Sequence, residues 1–190
     1  MKIGLVSDTH GNLAAWEQAW DLVLHDCDLI IHCGDLLYHG PKFKPEAGYD
    51  AGALAQRLNE CPLPLLVAKG NADSEVDQLV LAIPIQQPYV FAQAEGLRVL
   101  ATHGHLMSPD DLLALGEQWR LDFVLSGHTH VPAYRRRGGT VHLNPGTTTY
   151  PLSKEQSLRR RTCAALLDGE PHWWDLETGE EVAVPREEIR

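Results

Sequence analysis

Short apolar runs alternate with amphipathic segments along the first two thirds of the chain. Runs rich in Val, Ile and Leu cover residues 2–7, 27–33, 63–69, 97–101 and 121–126. Apolar runs of this length, bounded by polar loops, are typical of strands buried within a sheet. The pattern therefore predicts five buried strands.

Three segments between these strands have the apolar spacing of helices. Asn12 precedes the first segment, whose apolar positions are Leu13, Trp16, Trp20, Val23 and Leu24. Asn is favoured at a helix N-cap, and this spacing gives a helix one apolar face. Asp50 is predicted to begin a second helix, and Ser108-Pro109-Asp110-Asp111 a third. Strands that alternate with helices predict an α/β layered fold.

The C-terminal part has a different pattern. Residues 141–146, 161–169 and 171–177 are short β-like runs separated by turn signals such as Asn144-Pro145-Gly146, with no helical spacing between them. They predict a second, more antiparallel sheet that packs face to face against the first, with the helices outside. Trp173 or Trp174 is then expected to be buried, since neighbouring strand residues point to opposite faces.

Composition and charge narrow the class of protein. The chain has 190 residues, 44% of them hydrophobic, and no Pro, Gly or Ser tract divides it, so one domain is predicted over residues 1–190. A formal charge of −10 disfavours a general binder of nucleic acids or anionic membranes. Four cysteines without a C-x-x-C pair, and the absence of a leader or a membrane-length apolar run, predict a cytoplasmic protein.

Each predicted strand is followed by side chains that bind divalent metal ions. These are Asp8, His10, Asp35, Asn71, His103, His128 and His130. Ligands of open α/β sheets bind at the carboxyl ends of the strands, so these side chains are expected to meet in space. Two carboxylates, an amide and four imidazoles suit a pair of divalent ions, and this mixture favours Mn, Fe, Co, Ni or Zn over Mg or Ca.

The ordered set of motifs resembles the calcineurin-like metallophosphoesterase superfamily. The segments SDTHGN, GNADSEVDQ, THGH, SGHTH and NPG are similar, more narrowly, to small bacterial phosphodiesterases of the YfcE type. The resemblance implies a four-layer α-β-β-α sandwich of two mixed sheets with flanking helices. It also implies two metal ions, usually manganese. Asp8, His10, Asp35 and His130 would bind the first ion, and Asp35, Asn71, His103 and His128 the second.

The function that follows is metal-dependent hydrolysis of a small phosphodiester. Two divalent cations and two carboxylates leave a site with a net charge of about +2, which attracts an anionic ester despite the acidic exterior. A hydroxide that bridges the two ions would attack phosphorus. Two alternatives stay open: a phosphomonoesterase of broad specificity, and a non-catalytic protein-binding scaffold of the same fold.

Two departures from larger members of the superfamily limit the mechanism. The protein phosphatases carry a GDxxDRG pattern, and residues 34–40 of this chain lack its arginine, which makes phosphoprotein substrates doubtful. Ala72 occupies the position at which those enzymes have a histidine that protonates the leaving group. His39 is the hypothesis for this acid or for a phosphate contact. Asn71 and His105 are further candidates for substrate binding, although a simple turn contact explains His105 equally well.

Some charged and titratable residues are predicted to lie outside the site. The arginine runs 135–137 and 159–161 are interpreted as a solvated hairpin turn and an exposed linker, because neither run is interleaved with aromatic residues. His25, His32, His142 and His172 are predicted to be core or surface residues. A homodimer is possible, and the sequence does not identify the surface that it would use.

Overall fold

The computed structural model describes residues 1–189, which form four α-helices and thirteen strands. The helices are α1 (Leu13–Leu22), α2 (Ala51–Asn59), α3 (Asp77–Val80) and α4 (Pro109–Trp119). The strands are β1 (Lys2–Val6), β2 (Leu29–His32), β3 (Leu65–Ala68), β4 (Ile85–Gln86), β5 (Val90–Ala94), β6 (Leu97–Ala101), β7 (Phe123–Leu125), β8 (Ala133–Arg137), β9 (Thr140–Asn144), β10 (Thr162–Leu167), β11 (Glu170–Asp175), β12 (Glu181–Val182) and β13 (Arg186–Glu188).

The strands form two mixed sheets. The first has the order β12-β11-β10-β1-β2-β3-β4, with β1 to β4 parallel and β10 to β12 antiparallel to their neighbours. The second has the order β13-β8-β9-β7-β6-β5, with a parallel centre formed by β6, β7 and β9. The predicted class, an α/β fold with two mixed sheets, is confirmed.

Three separate apolar cores show how the layers stack. One core lies between the sheets, and Ile3 and Leu5 of β1 contribute to it. A second core contains Trp16 of α1, Leu54 of α2 and the β1 residue Val6, so these two helices cover the outer face of the first sheet. The third core places α4 against the outer face of the second sheet. Three interfaces between four layers give the α-β-β-α sandwich. Alternate side chains of β1 point to opposite faces of its sheet and therefore contribute to two of these interfaces.

The predicted helix starts coincide with the observed ones. The side chain of Asn12 accepts a hydrogen bond from the N–H of Ala15 at 3.0 Å. Asp50 accepts one from Ala53 at 2.9 Å, and Ser108 forms a capping box at the start of α4. These bonds satisfy N–H groups that have no partner within the first helical turn.

The sequence pattern predicts that the C-terminal strands form a second sheet. The structure instead divides them between the two sheets. Strand β10 joins the first sheet antiparallel to β1, whereas β9 joins the second sheet parallel to β7. Strand β10 thereby covers one edge of β1, and β9 covers one edge of β7. The spacing of apolar residues alone does not reveal these pairings. Trp173 is buried, and Trp174 on the opposite face is partly buried against the helical core.

The interpretation of residues 135–137 as a hairpin turn is wrong. They belong to β8, whose turn to β9 consists of Gly138 and Gly139. Arg135 pairs with Asp110 and Glu187, at 3.0 and 2.8 Å. Arginine runs are compatible with a strand when its outward positions face carboxylates. The second run, residues 159–161, leads from a short 3-10 helix into β10, as expected of a linker.

None of the helices within residues 1–189 combines the length and the apolar character that a membrane crossing needs.

Candidate metal centre

The seven predicted ligands lie in loops at one edge of the sandwich. Asp8 and His10 follow β1, Asp35 follows β2, Asn71 follows β3, His103 follows β6, and His128 and His130 follow β7. The first three strands belong to one sheet and the last two to the other, so the site spans both sheets. The N–H of Asp8 donates to the carbonyl of Gly34, and the N–H of Gly127 to that of His103, each at 3.0 Å.

Metal-binding atoms from these loops converge into two groups that share Asp8. One group contains Asp8, His10 and His130, and the other contains Asp8, Asp35 and His103, with the ligand atoms of each group within 4.8 Å of one another. Nε2 of His130 lies 3.2 Å from Oδ1 of Asp8, and Nε2 of His103 lies 3.4 Å from Oδ2 of Asp35. These spacings leave room for an ion among the atoms of each group, with ligand distances of about 2.0–2.2 Å.

The other two predicted ligands lie beside the second group. Oδ1 of Asn71 is 3.2 Å from Nε2 of His103, so the amide oxygen points toward that group. The ring of His128 lies next to that of His103, with centroids 5.2 Å apart, but no nitrogen of His128 belongs to either group. His128 is also solvent-exposed, unlike His103.

Three histidines of the site have the same tautomer. Nδ1 of each contacts a backbone carbonyl oxygen: Tyr38 for His10, Cys33 for His103 and Tyr150 for His130, at 2.7, 2.8 and 2.7 Å. A carbonyl only accepts, so Nδ1 carries a proton and Nε2 points toward the carboxylates. The lone pair of a neutral Nε2 would repel a carboxylate unless a proton or a metal ion lies between them.

Burial and electrostatics favour a positive charge among these atoms. Oδ1 of Asp8 is buried, and the nearest group that could donate to it is Nε2 of His130 at 3.2 Å. Burial lowers the pKa of His103, but the carboxylates of Asp35 and Asp8 outweigh it and raise this pKa to about 9. Burial likewise opposes ionisation of Asp8, yet His130 and His103 hold its pKa well below the usual range. The donor set therefore fits divalent cations, and protons substitute for them at neutral pH.

Five of the seven predicted ligands have a left-handed backbone. The φ angles are 55° for Asp8, 46° for His10, 59° for Asp35, 68° for His128 and 58° for His130. Non-glycine residues seldom adopt this region, and such residues cluster at functional sites where the surroundings over-determine them. Two hydrogen bonds hold Asp8 in this conformation: the backbone N–H of His128 and the hydroxyl of Ser7 both donate to its Oδ2, at 3.1 and 2.6 Å.

Two glycines allow the ligand loops to approach each other. A Cβ atom on Gly70 would lie 2.1 Å from Oδ1 of Asp35. A Cβ atom on Gly127 would lie 1.9 Å from Oγ of Ser7 and 2.8 Å from Oδ2 of Asp8. Neither position tolerates a side chain without displacing a ligand carboxylate or its partner.

The prediction from sequence missed Asp73, which joins two of the ligand loops. Its buried carboxylate accepts the N–H groups of Asp35, Leu36 and Gly70, at 2.9, 2.7 and 2.7 Å. Burial raises the pKa of Asp73 to about 6, against the stabilising effect of these N–H donors. An aspartate two residues after Asn71 was the available signal.

The end of β9 and the segment after it were also missed as a structural support of the site. Nδ2 of Asn144 donates to the carbonyl of Gly127 at 2.7 Å, which fixes the loop that carries His128 and His130. The hydroxyl of Thr147 donates to the carbonyl of Asp8 at 3.0 Å. The NPG motif signalled Asn144, whereas the threonine carries no recognisable pattern.

A cavity of about 500 Å³ opens onto the ligands. The lining includes His39 and Asn71, two predicted substrate-binding residues, together with Lys42, which the sequence did not single out. Nδ1 of His39 is buried without a partner among residues 1–189. His105 does not line this cavity; its exposed ring lies beside His103, with centroids 5.5 Å apart. A larger cavity of about 670 Å³ is lined by none of the predicted ligands.

The remaining histidines are core or surface residues, as predicted, but His32 lies directly behind the ligand loops, where its Nδ1 accepts from the N–H of Gly34 at 3.0 Å and its Nε2 lies 3.1 Å from the hydroxyl of Thr9. His32 and His142 are buried, and His25 and His172 are at least partly exposed. Burial lowers the pKa of both His32 and His142 to about 4, so each is neutral in the folded protein.

The family is decided by a domain model that matches most of the chain. The calcineurin-like phosphoesterase superfamily domain matches residues 1–168. The chain belongs to this superfamily. It is 39% identical to phosphodiesterase YfcE of Escherichia coli strain K12 over 152 residues, which cover 80% of this chain and 81% of that protein.

Solved structures give the same assignment of the fold. The structure of the YfcE phosphoesterase from E. coli superposes with a TM-score of 0.84 at 33% identity, covering 96% of this chain and 97% of that one. The structure of vacuolar protein sorting 29 from Cryptosporidium parvum superposes with a TM-score of 0.68 at 18% identity, covering 95% and 93%. At that identity the second match supports only the fold of this superfamily member.

Proposed function

We propose that this phosphoesterase hydrolyses small phosphodiesters with the help of two divalent metal ions. The observation that carries the proposal is the buried Asp-His cluster, in which the Nε2 atoms of three histidines converge on the carboxylates of Asp8 and Asp35. Hydrolysis of a phosphodiester is also the activity in the name of the 39% identical relative.

We assign the first ion to Asp8, His10, Asp35 and His130, and the second to Asp35, Asn71, His103 and His128. When bound, two divalent ions lower the pKa of a water toward neutrality and neutralise charge that develops on the phosphoryl oxygens. Manganese is the metal we propose, with Fe, Co, Ni and Zn as alternatives, because the ligands mix nitrogen and oxygen.

The residues of the chain perform three further tasks in this proposal. The carbonyl groups of Tyr38, Cys33 and Tyr150 hold the ligand imidazoles in one tautomer. Lys42 supplies a positive charge to the mouth of the cavity, since the salt-bridged lysines of residues 1–189 are Lys2 and Lys69. His39 faces the same cavity and is the proposed proton donor to the leaving alcohol.

Two alternatives differ from this proposal in what they predict. A phosphomonoesterase needs cationic groups that clamp a dianion, and Lys42 is the one basic residue of the cavity lining, which favours a singly charged diester. A protein-binding scaffold has no need for a cluster of seven metal-binding side chains, five of them buried. Such a cluster costs folding free energy when it is not neutralised, because it buries carboxylates.

The proposed substrate and cellular location follow from the net charge and the cysteines of the chain. The formal charge of −10 disfavours general binding of nucleic acids, so a small phosphodiester is the proposed substrate. All four cysteines are free thiols, which is typical of proteins in the reducing cytoplasm, the proposed location. One domain over residues 1–190 and a homodimer remain predictions from the sequence.

The test compares metal-stripped protein with and without Mn²⁺ on bis(4-nitrophenyl) phosphate and on 4-nitrophenyl phosphate. We expect Mn²⁺-dependent turnover, faster on the diester, that Asp35→Asn reduces by at least about 100-fold. Asp21→Asn, which changes an exposed carboxylate of α1, is the matched control and should retain the wild-type rate. Metal-independent turnover, or a preference for the monoester, would contradict the proposal.

A further inference from the structure

We infer that the cavity beside the metal centre binds an aromatic ring on the ester group that stays attached to phosphorus. Tyr38, Phe43 and Leu152 form the surface concerned, hereafter the apolar wall, and all three line the cavity together with the metal ligands. The inference rests on the proposed function, because it names the substrate class of the same site.

The apolar wall leaves large hydrophobic side chains in contact with water. Tyr38 is 44% exposed and Leu152 is 50% exposed. Single exposed apolar residues are common on proteins, but these two line one cavity and face it together with a phenylalanine. An apolar concave surface next to a few polar groups is the usual composition of a small-molecule site. The polar groups here are the metal ligands, so the bound molecule has an apolar group next to its phosphate.

Phe43 is held in place before any ligand arrives. Its ring stacks on that of Tyr150 with centroids 4.2 Å apart and an interplanar angle of 6°, and it lies 5.6 Å from the ring of His130. The carbonyl of Tyr150 orients His130, and the hydroxyl of Tyr150 donates to the carbonyl of Lys44 at 2.9 Å. The same residue therefore anchors the apolar wall and a metal ligand, which fixes the distance between them. A fixed wall binds a rigid ring with little loss of conformational entropy.

The size of the cavity suits one ring beside the phosphate. A volume of about 500 Å³ lies within the range of small-molecule sites and cannot enclose a polymer. Tyr38 also lines the larger neighbouring cavity, so its side chain forms the boundary between the two. A flat ring fills the space against the apolar wall more fully than a methyl group, and aromatic pairs add attraction beyond the area that they bury.

The test uses two substrates that differ only in the group that stays on phosphorus. Phenyl 4-nitrophenyl phosphate and methyl 4-nitrophenyl phosphate release the same 4-nitrophenolate, and each rate is divided by that of alkaline hydrolysis to remove intrinsic reactivity. We expect the holoenzyme to favour the phenyl ester in kcat/KM by about tenfold or more. Leu152→Ser and Tyr38→Ser should lower this ratio to about 3 or less, and Tyr38→Phe should preserve it.

Leu79→Ser is the matched control, since Leu79 is 84% exposed and does not line the cavity. Metal content and circular dichroism of each variant establish that the fold and the centre are intact. Metal-dependent turnover with equal kcat/KM for both esters, or a ratio that Leu152→Ser and Tyr38→Ser leave unchanged, would overturn the apolar wall as a subsite. The proposed function would then stand. Absence of metal-dependent turnover on either ester would overturn both.

Discussion

Glycines in the ligand loops allow the metal-binding side chains to come together. The sequence identified the metal-binding side chains, because Asp, Asn and His in a repeated position after apolar runs are chemically recognisable. The sequence could not reveal at which glycines an added Cβ atom would clash, since this depends on how closely two loops pass in space. Gly70 approaches Asp35 and Gly127 approaches Asp8, and in each case the pair comes from different strands.

Gly70→Ala should therefore impair the metal centre more than the fold. Its Cβ atom would lie 2.1 Å from Oδ1 of Asp35, so the carboxylate must move, whereas the φ of Gly70 is not in the left-handed region. We expect a loss of at least about 100-fold in kcat/KM on the aryl diester, with weaker Mn²⁺ binding. Gly139→Ala is the control, because nothing lies within 4 Å of the added atom. Equal activity of the two variants would refute the steric argument.

Lys42→Gln should weaken substrate binding through charge alone. The side chain lines the cavity, and the salt-bridged lysines of residues 1–189 are Lys2 and Lys69, so the charge of Lys42 acts on the anionic ester. We expect kcat/KM to fall by about five- to twentyfold at low ionic strength, and the difference to shrink at high salt. Lys154→Gln, outside the cavity, should have no effect. A salt-independent loss would indicate a structural role for Lys42 instead.

At the scale of elements, the site depends on strands from two different sheets. The five central strands could be predicted because each is a compact apolar run. The pairing of β10 with β1 could not, since these strands are far apart in sequence. The pairing of β9 with β7 could not either, since β8 lies between them in the chain and pairs with the other edge of β9. The short strands β4, β12 and β13 have two or three residues each, which is too few for a periodic pattern to be recognised.

Asp73 connects the loops after β2 and β3, and Asp73→Asn tests this connection. The substitution replaces one acceptor oxygen by an NH₂ group that cannot accept from the N–H groups of Asp35, Leu36 or Gly70. We expect Mn²⁺ affinity to fall by about 10–100-fold, with a smaller loss in kcat at saturating metal. Isothermal titration of the metal-stripped proteins measures the effect, with Asp21→Asn as control. Unchanged affinity would mean that the ligand loops hold their positions without Asp73.

At the scale of the whole molecule, an acidic exterior encloses a site that needs cations. The formal charge of −10 disfavours some classes of partner, but it carries no information about the local field at the site. The four-layer arrangement followed from the resemblance to a known superfamily. The alternation of apolar residues alone was compatible with other pairings of the same strands.

Stability should decrease as the pH falls, partly because of His142. Burial lowers the pKa of His142 from the usual 6.5 to about 4, so the unfolded chain binds an additional proton between these values. The unfolding free energy therefore falls from pH 6.5 downward, by roughly 3 kcal/mol for this residue at pH 4 and below. His142→Gln should flatten this part of the pH profile in urea titrations of metal-free protein, whereas His25→Gln at the surface should not. Parallel profiles for the wild type and His142→Gln would contradict the buried neutral state.

The most direct measurement is a joint titration of bound metal and turnover. Metal-stripped protein receives Mn²⁺ in steps, bound metal is measured by equilibrium dialysis with atomic absorption, and hydrolysis of the aryl diester is followed in the same samples. Two ions per chain should bind, and the rate should reach its plateau only when both are present. A plateau reached at one ion per chain, or a rate that does not depend on bound metal, would contradict a catalytic centre of two ions.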